Sequence, residues 1–254
     1  MPATVPVIIM HMKIERCFTI PQAWTPAFAL LMAMSPLGCA APAQDAKNSG
    51  PVGREGLVLW WTFDEGKGAI ASSSAGPGNQ ATLRNVEWVK GRFGTAIKFN
   101  GSSTSVSGKA TNLPATNSAM TISWWQNCPA APSGNQTLMT FMDDAPSASV
   151  QPGIQHGQLA VWRYGGEILV SAAIPTLNAW HHCAYTYDRS KHRLYVDGKL
   201  EDTSERPSSS GPCTRFELGR WIDGKDPFNG MLDDVRMYNR ALSDAEVEQL
   251  AGAK

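Results

Sequence analysis

The stretch WHHCAYTYDRSKHRLYVDG, Trp180–Gly198, decides how the chain is read. It sets His181, His182 and Cys183 side by side, with Asp188 and His192 close behind, a collection that would suit a metal site or a catalytic centre. A strand reverses its side chains at every residue. On that period Trp180, His182, Ala184 and Thr186 share one face, and His181, Cys183, Tyr185 and Tyr187 share the other. Two histidines on opposite faces cannot chelate one ion. Tyr, Thr and Cys favour a strand over a helix. DRSK supplies a polar turn, HRLYV returns, and Asp197-Gly198 is a hairpin-turn pair. The stretch predicts a β-hairpin, with Cys183 packed inward as a small hydrophobe.

Outward from this hairpin the chain continues as short apolar runs separated by Gly, Asn and Asp turns. LVLWWTF (57–63), AIKFNG (96–101), MTISWWQ (120–126), TLMTFM (137–142), QLAVWRY (158–164), EILVSAA (167–173), FELGRW (216–221) and LDDVRMY (232–238) all read as strands. Strands of this length and spacing predict an all-β fold, a two-sheet antiparallel β-sandwich. One helix stands out, in LSDAEVEQLAG at the C-terminal end. Ser243 is its N-cap and Glu246, three residues on, completes a capping box. Leu242 and Val247 form a hydrophobic staple, Val247 and Leu250 give one apolar stripe, and Gly252 ends it.

The 254 residues suffice for one large domain or two small ones. The 22 basic residues balance 22 acidic ones, so no long-range field attracts nucleic acid or an anionic membrane. Nine Trp, 23 Gly and 17 Pro suit a turn-rich β protein. Residues 1–39 read as a signal peptide: Lys13 and Arg16 precede the apolar run AFALLMAMSPLGCA. Met12 is an alternative start that would put this charge at the N-terminus. Pro26 and Pro36 break the run below the ~20 residues of a membrane span. The end, SPLGCA, resembles a bacterial lipobox with Cys39 as the acylated residue, although Pro36 occupies the usual Leu position. The leading expectation is a lipoprotein held on a membrane by its lipid alone; secretion after cleavage elsewhere and an uncleaved anchor are the alternatives. Residues 40–56, small and polar, read as a flexible tether, and residues 57–252 as the domain. The domain keeps Cys128, Cys183 and Cys213, so at most one internal disulfide can form. Cys128 with Cys213, both beside prolines, is the expected pair.

The hairpin residues resemble the signature W-H-H-x-A-x-T-Y-D … L-Y-V-D-G of the concanavalin A-like, laminin-G-like jelly-roll domains. LVLWWTFDEGKG (57–68) resembles their opening strand, GRFGTAIKFNG (91–101) their G-x-x-G-x-A-x-x-F-D/N-G, and FNGMLDDVRMYNRALSDAEVEQLAG (228–252) their closing strand and helix. The resemblance covers nearly all of 57–252 and is specific for the fold: a concanavalin A-like jelly roll with a short C-terminal helix. It is weak for function, because this fold hosts lectins, glycosidases, lyases and adhesion modules. It also implies a structural Ca²⁺ in some relatives where the first and last strands meet, held here by Asp64 and Asp233. Ser72 stands where that pattern would carry another Asp. The alternative is that both acids accept backbone hydrogen bonds at turns.

Glycosidases need two carboxylates flanking the bond. FDEG and LDDV each offer adjacent acids, but neighbours on a strand face opposite sides. G-x-S-x-G, H-E-x-x-H and phosphate-loop motifs are absent from the sequence. Trp162, Tyr164 and Trp221 lie beside Arg163, Arg220 and Gly-rich turns, which predicts strand ends near a rim. An aromatic plate there could pack on the C–H face of a sugar while Arg163 donates to its hydroxyls; the competing reading packs Trp162 inward. The polar segment QPGIQHGQ (151–158) is expected to be either a binding loop or a connector. The leading expectation is a non-catalytic module that binds a glycan or cell-surface polysaccharide. The runner-up is a structural or adhesive module that binds a surface protein, and a polysaccharide-degrading enzyme comes third.

Overall fold

The computed structural model describes residues 52–253 except 131–133, 145–147 and 174. The leader, Cys39 and the tether as far as residue 51 lie outside the described residues. The chain runs through β1 (Leu57–Trp61), β2 (Ile70–Ala71), β3 (Ala81–Arg84), β4 (Glu87–Lys90), β5 (Thr95–Asn100), β6 (Ser105–Lys109), β7 (Met120–Asn127), β8 (Gln136–Thr137) and β9 (Met139–Met142). It continues through β10 (Ser149–Gln155), β11 (Gln158–Arg163), β12 (Gly166–Val170), β13 (His181–Tyr187), β14 (His192–Val196), β15 (Lys199–Ser204), β16 (Arg215–Leu218), β17 (Asn229–Tyr238) and helix α1 (Asp244–Ala251).

Two antiparallel sheets form a sandwich. The first is ordered β15-β14-β13-β7-β17-β5-β4, with β1 also paired to β17. The second is ordered β12-β11-β10-β9-β16-β6-β3-β2, with β8 also paired to β10. The core between them takes alternate residues of each strand. Ile122, Trp124, Cys183, Tyr185 and Leu194 come from the first sheet; Phe141, Val150, Leu159, Val161 and Phe216 come from the second. The opening stretch pairs as predicted, from Cys183 opposite Val196 to Tyr187 opposite His192. Asp197 and Gly198 both take positive φ and turn the chain into β15.

All eight residues of β7 are buried, because the outer face of its sheet is covered as well. There α1 lays Val247 and Leu250 on Ala184, Tyr195, Tyr238 and Leu242. Burying two such side chains contributes ~1.5–3 kcal/mol each. Ser243 and Glu246 form the expected capping box, and Gly252 closes the helix in a right-handed conformation. Val52, at the end of the segment read as tether, packs on the same outer cluster. Arg54 lies 5.5 Å over the Trp60 ring.

The expected Cys128–Cys213 disulfide does not form: Cys128, Cys183 and Cys213 are all free thiols. Cys128 follows a strand of the first sheet, whereas Cys213 leads into β16 of the second. Burial pushes the thiols of Cys128 and Cys213 up to about 12.

Candidate binding cleft

The cleft begins with a hairpin. The segment QPGIQHGQ is neither a loop nor a connector: most of it is β10, and only His156-Gly157 turns, both with positive φ. That backbone is what a two-residue hairpin turn requires. Pro152 lies inside this strand, opposite Val161 of β11. It is tolerated because it sits where β9 gives way to β8, and its carbonyl accepts from the Leu138 N–H at 3.1 Å.

At the far end of the hairpin the ladder to β12 shifts register between Val161 and Trp162. Such a bulge re-aims the side chains beside it. Trp162 is half-buried on the outer face of the second sheet, directly across from Gln151. Its ring lies over Gly153, where an added Cβ would meet Cζ3 at 2.6 Å and the Gln136 carbonyl at 2.4 Å. Glycine is therefore required under the ring. Tyr164, 58% exposed, heads the turn into β12. Trp221 enters from the connection between β16 and β17, held by a bond from its N–H to the Lys225 carbonyl at 2.9 Å. The Thr137 N–H donates to the Asp226 carbonyl at 2.8 Å and ties that connection to β8.

These residues surround a cleft of about 350 Å³, lined by Trp162, Tyr164 and Trp221 with Asn135, Gln151 and Asp226. The volume lies in the ~300–1,000 Å³ range of small-ligand sites. Gln151 donates through Nε2 to Ser149 Oγ at 2.7 Å, which orients its amide. All four residues expected at the binding site, Trp162, Arg163, Tyr164 and Trp221, thus line one cleft. Asn135, Thr137 and Asp226 were not anticipated; Thr137 lies in the short strand β8, and the other two come from connections between strands.

Arg163 departs from expectation. Strand alternation turns its guanidinium away from its neighbours' rings and into the sandwich, where the residue is 3% exposed. Nη1 donates to Tyr185 Oη at 3.0 Å, and Nη2 donates to the Thr116 carbonyl. Tyr185 Oη lies 2.8 Å from His192 Nδ1, and His192 Nε2 lies 2.9 Å from the Arg206 carbonyl. Burial lowers the His192 pKa and raises that of Tyr185, so both are neutral links in a chain joining the two sheets. Arg163 is a bridge in the interior, with Nη1 and Nη2 engaged and Nε buried without a partner.

The two adjacent histidines diverge as the alternation predicts. His181 Nδ1 meets the Asp197 carboxylate at 2.7 Å and its Nε2 the Thr176 carbonyl at 3.0 Å. His182 is buried against Trp125, with Nε2 2.9 Å from Ser123 Oγ. Burial lowers its pKa to about 3.

Asp64 and Asp233 each bond the turn between β4 and β5. Asp64 Oδ1 accepts from the Thr95 N–H and Asp233 Oδ2 from the Phe93 N–H, each at 2.9 Å. A Cβ on Gly91 would find the Phe93 carbonyl, Asp233 Oδ2 and the Thr95 carbonyl at 2.5, 2.6 and 2.7 Å. Asp233 Oδ1 is buried without a hydrogen-bond partner. Burial pushes the Asp233 carboxyl up to about 7. Clustered oxygens with an orphaned carboxylate atom fit a hard cation such as Ca²⁺. Among the described residues no cluster of three His, Cys, Asp or Glu exists, so the remaining ligands would be backbone carbonyls. Ser72 takes no part: its N–H donates to Glu65 Oε1 at 3.0 Å.

A family model described as the concanavalin A-like lectin/glucanases superfamily matches residues 100–248. No curated protein sequence matches the chain. Domain 4 of AbnA, a GH43 extracellular arabinanase from Geobacillus stearothermophilus, solved in complex with arabinotriose, superposes with a TM-score of 0.64 at 19% identity. That match covers 77% of this chain and 98% of the domain. The binding domain of Paraclostridial Mosquitocidal Protein 1 gives 0.65 at 20% identity, over 78% of this chain and 52% of that one. Trypanosoma rangeli sialidase, in complex with 2,3-difluorosialic acid, gives 0.58 at 19% identity, over 77% of this chain and 33% of the sialidase. At these identities the likeness is one of fold.

Proposed function

The chain belongs to the concanavalin A-like lectin/glucanase superfamily, and from that premise we propose that it is a glycan-binding module which does not cleave its ligand. The observation that carries this reading is the convergence of Trp162, Tyr164 and Trp221, from two separate parts of the chain, on one cleft with Gln151, Asn135 and Asp226. A pyranose or furanose ring presents C–H groups to an aromatic face and hydroxyls around its edge. The indoles supply the face, and the amides and carboxylate supply acceptors and donors for the edge. Hydrolysis would need two carboxylates about 5–9.5 Å apart across the bond. The described lining offers one, Asp226, which favours binding over cleavage. The arabinotriose held by the arabinanase domain makes oligosaccharides the first ligands to try. A panel of polysaccharides in affinity gels, with reducing-sugar release measured alongside, tests the reading. Retardation without release is expected. Release of reducing ends would make the protein an enzyme, and capture of surface protein with no retardation would make it an adhesive module.

Asp64, Asp233 and the carbonyls near Gly91 would hold a Ca²⁺ that fixes the β4–β5 turn against β17; its role is structural. The module is exported and tethered by an acylated Cys39. The charged start, the apolar run and Leu37-Gly38-Cys39 support this. Mass spectrometry of the membrane fraction should find a mature N-terminus at Cys39 carrying two or three acyl chains. A soluble mature protein cleaved at another residue would contradict it.

A further inference from the structure

Resting on the reading of this cleft as a glycan site, we infer that it selects neutral oligosaccharides and rejects uronate- or sialate-containing ones. The strongest recognition of an acidic sugar comes from a cation with a free donor facing the carboxylate. Of the cations in or next to the lining, Arg163 turns its guanidinium inward, and Arg220 and Lys225 are each paired with an acid. Arg163, between Trp162 and Tyr164, spends its guanidinium on Tyr185 and Thr116 in the interior. Arg220, beside Trp221, is bound through Nε to Glu217 Oε1 at 2.7 Å. Lys225, beside Asp226, holds Asp223 Oδ2 at 2.6 Å, and that exposed pair adds no net charge.

Asp226 is left. It lines the cleft, it is exposed, and its carboxylate makes no hydrogen bond to another described residue. A sugar hydroxyl can donate to this carboxylate, whereas a sugar carboxylate would be repelled by it. Across a few ångströms that repulsion ranges from about fivefold in affinity where water screens it to well over a hundredfold where water is excluded. It weakens as salt shortens the screening length to about 8 Å at physiological ionic strength.

The test is a titration of the full-length protein at low salt with cellohexaose, xylohexaose, arabinohexaose and hexagalacturonate. At least one neutral oligomer should bind about tenfold or more tightly than the galacturonate. Added salt should narrow the gap, and Asp226→Asn should narrow it at low salt by improving galacturonate binding. Galacturonate binding as tightly as the best neutral oligomer would overturn the inference while leaving a glycan site in place. A gap unchanged in Asp226→Asn would overturn it too. Absence of binding by every oligomer to the folded protein would remove the glycan reading itself.

Discussion

Replacing Arg163 by alanine should cost about 2–4 kcal/mol of stability. It empties a buried volume and strips the Thr116 carbonyl and Tyr185 hydroxyl of their donor. Where the variant remains folded, its glycan affinity should stay within about threefold of the wild type, as for changes that touch no ligand. A large loss of affinity in a protein of unchanged melting would instead put Arg163 at the sugar. Period-two alternation already implied this outcome, because Trp162 and Tyr164 cannot share a face with the residue between them. The short stretch invited a grouping of all three that the strand itself forbids. Asp226 was hidden for a different reason. It reaches the cleft from a distant turn, and nothing local to DGKDP signals what that turn will face. Gly153 is legible only once Trp162 is known to lie across it.

At the scale of elements, legibility followed the strength of the local pattern. The β13–β14 hairpin carries unbroken alternation and ends in Asp-Gly, and α1 carries a complete capping box ahead of its apolar stripe. Both were readable to within a residue or two. Strands β3, β6 and β10 were not, because ATLR and SVSGK are short with polar outer faces and SVQPGIQ contains Pro and Gly. Their pairing is fixed by neighbours on the sheet, not by local preference. The capping box gives a direct check of the helix account. Ser243→Ala removes the N-cap hydroxyl that accepts from the Glu246 N–H, while the Glu246 carboxylate keeps the Ser243 N–H and Arg240. It should destabilise the domain by ~1 kcal/mol. Differential scanning calorimetry should then show a melting temperature lower by about 2–4 °C for a domain of this size. An unchanged melt would mean that the cap hydroxyl adds nothing to the contacts of Val247, Leu250, Asp244 and Glu246 that hold α1.

For the whole molecule, Asp233 ties the cation account to pH. Its carboxyl is raised from 3.8 to about 7, chiefly by burial. Between those values the folded state keeps a proton that the unfolded state releases, so this group's contribution to stability is lost as pH rises through the window. A bound Ca²⁺ needs the carboxylate, so it reverses that loss. Millimolar Ca²⁺ should therefore raise the melting temperature more at pH 8 than at pH 5, relative to chelator, and Asp233→Asn should abolish the difference. Equal melting with Ca²⁺ and chelator at pH 8 would leave Asp64 and Asp233 as turn caps only.

The sandwich as a whole places the aromatic cleft on the outer face of the second sheet, while α1 covers the outer face of the first. The central claim is that the first of these faces holds a glycan through its indoles. It is tested most directly by melting Trp162→Ala and titrating it with the best neutral oligosaccharide from the wild-type panel. A half-buried indole on an outer face should cost about 1 kcal/mol or less when truncated, against ~3–5 kcal/mol for a core Trp. The account predicts near-wild-type melting with affinity reduced at least about tenfold, the loss expected when a stacked aromatic is removed. A melting temperature that collapses, or an affinity that does not change, would contradict it.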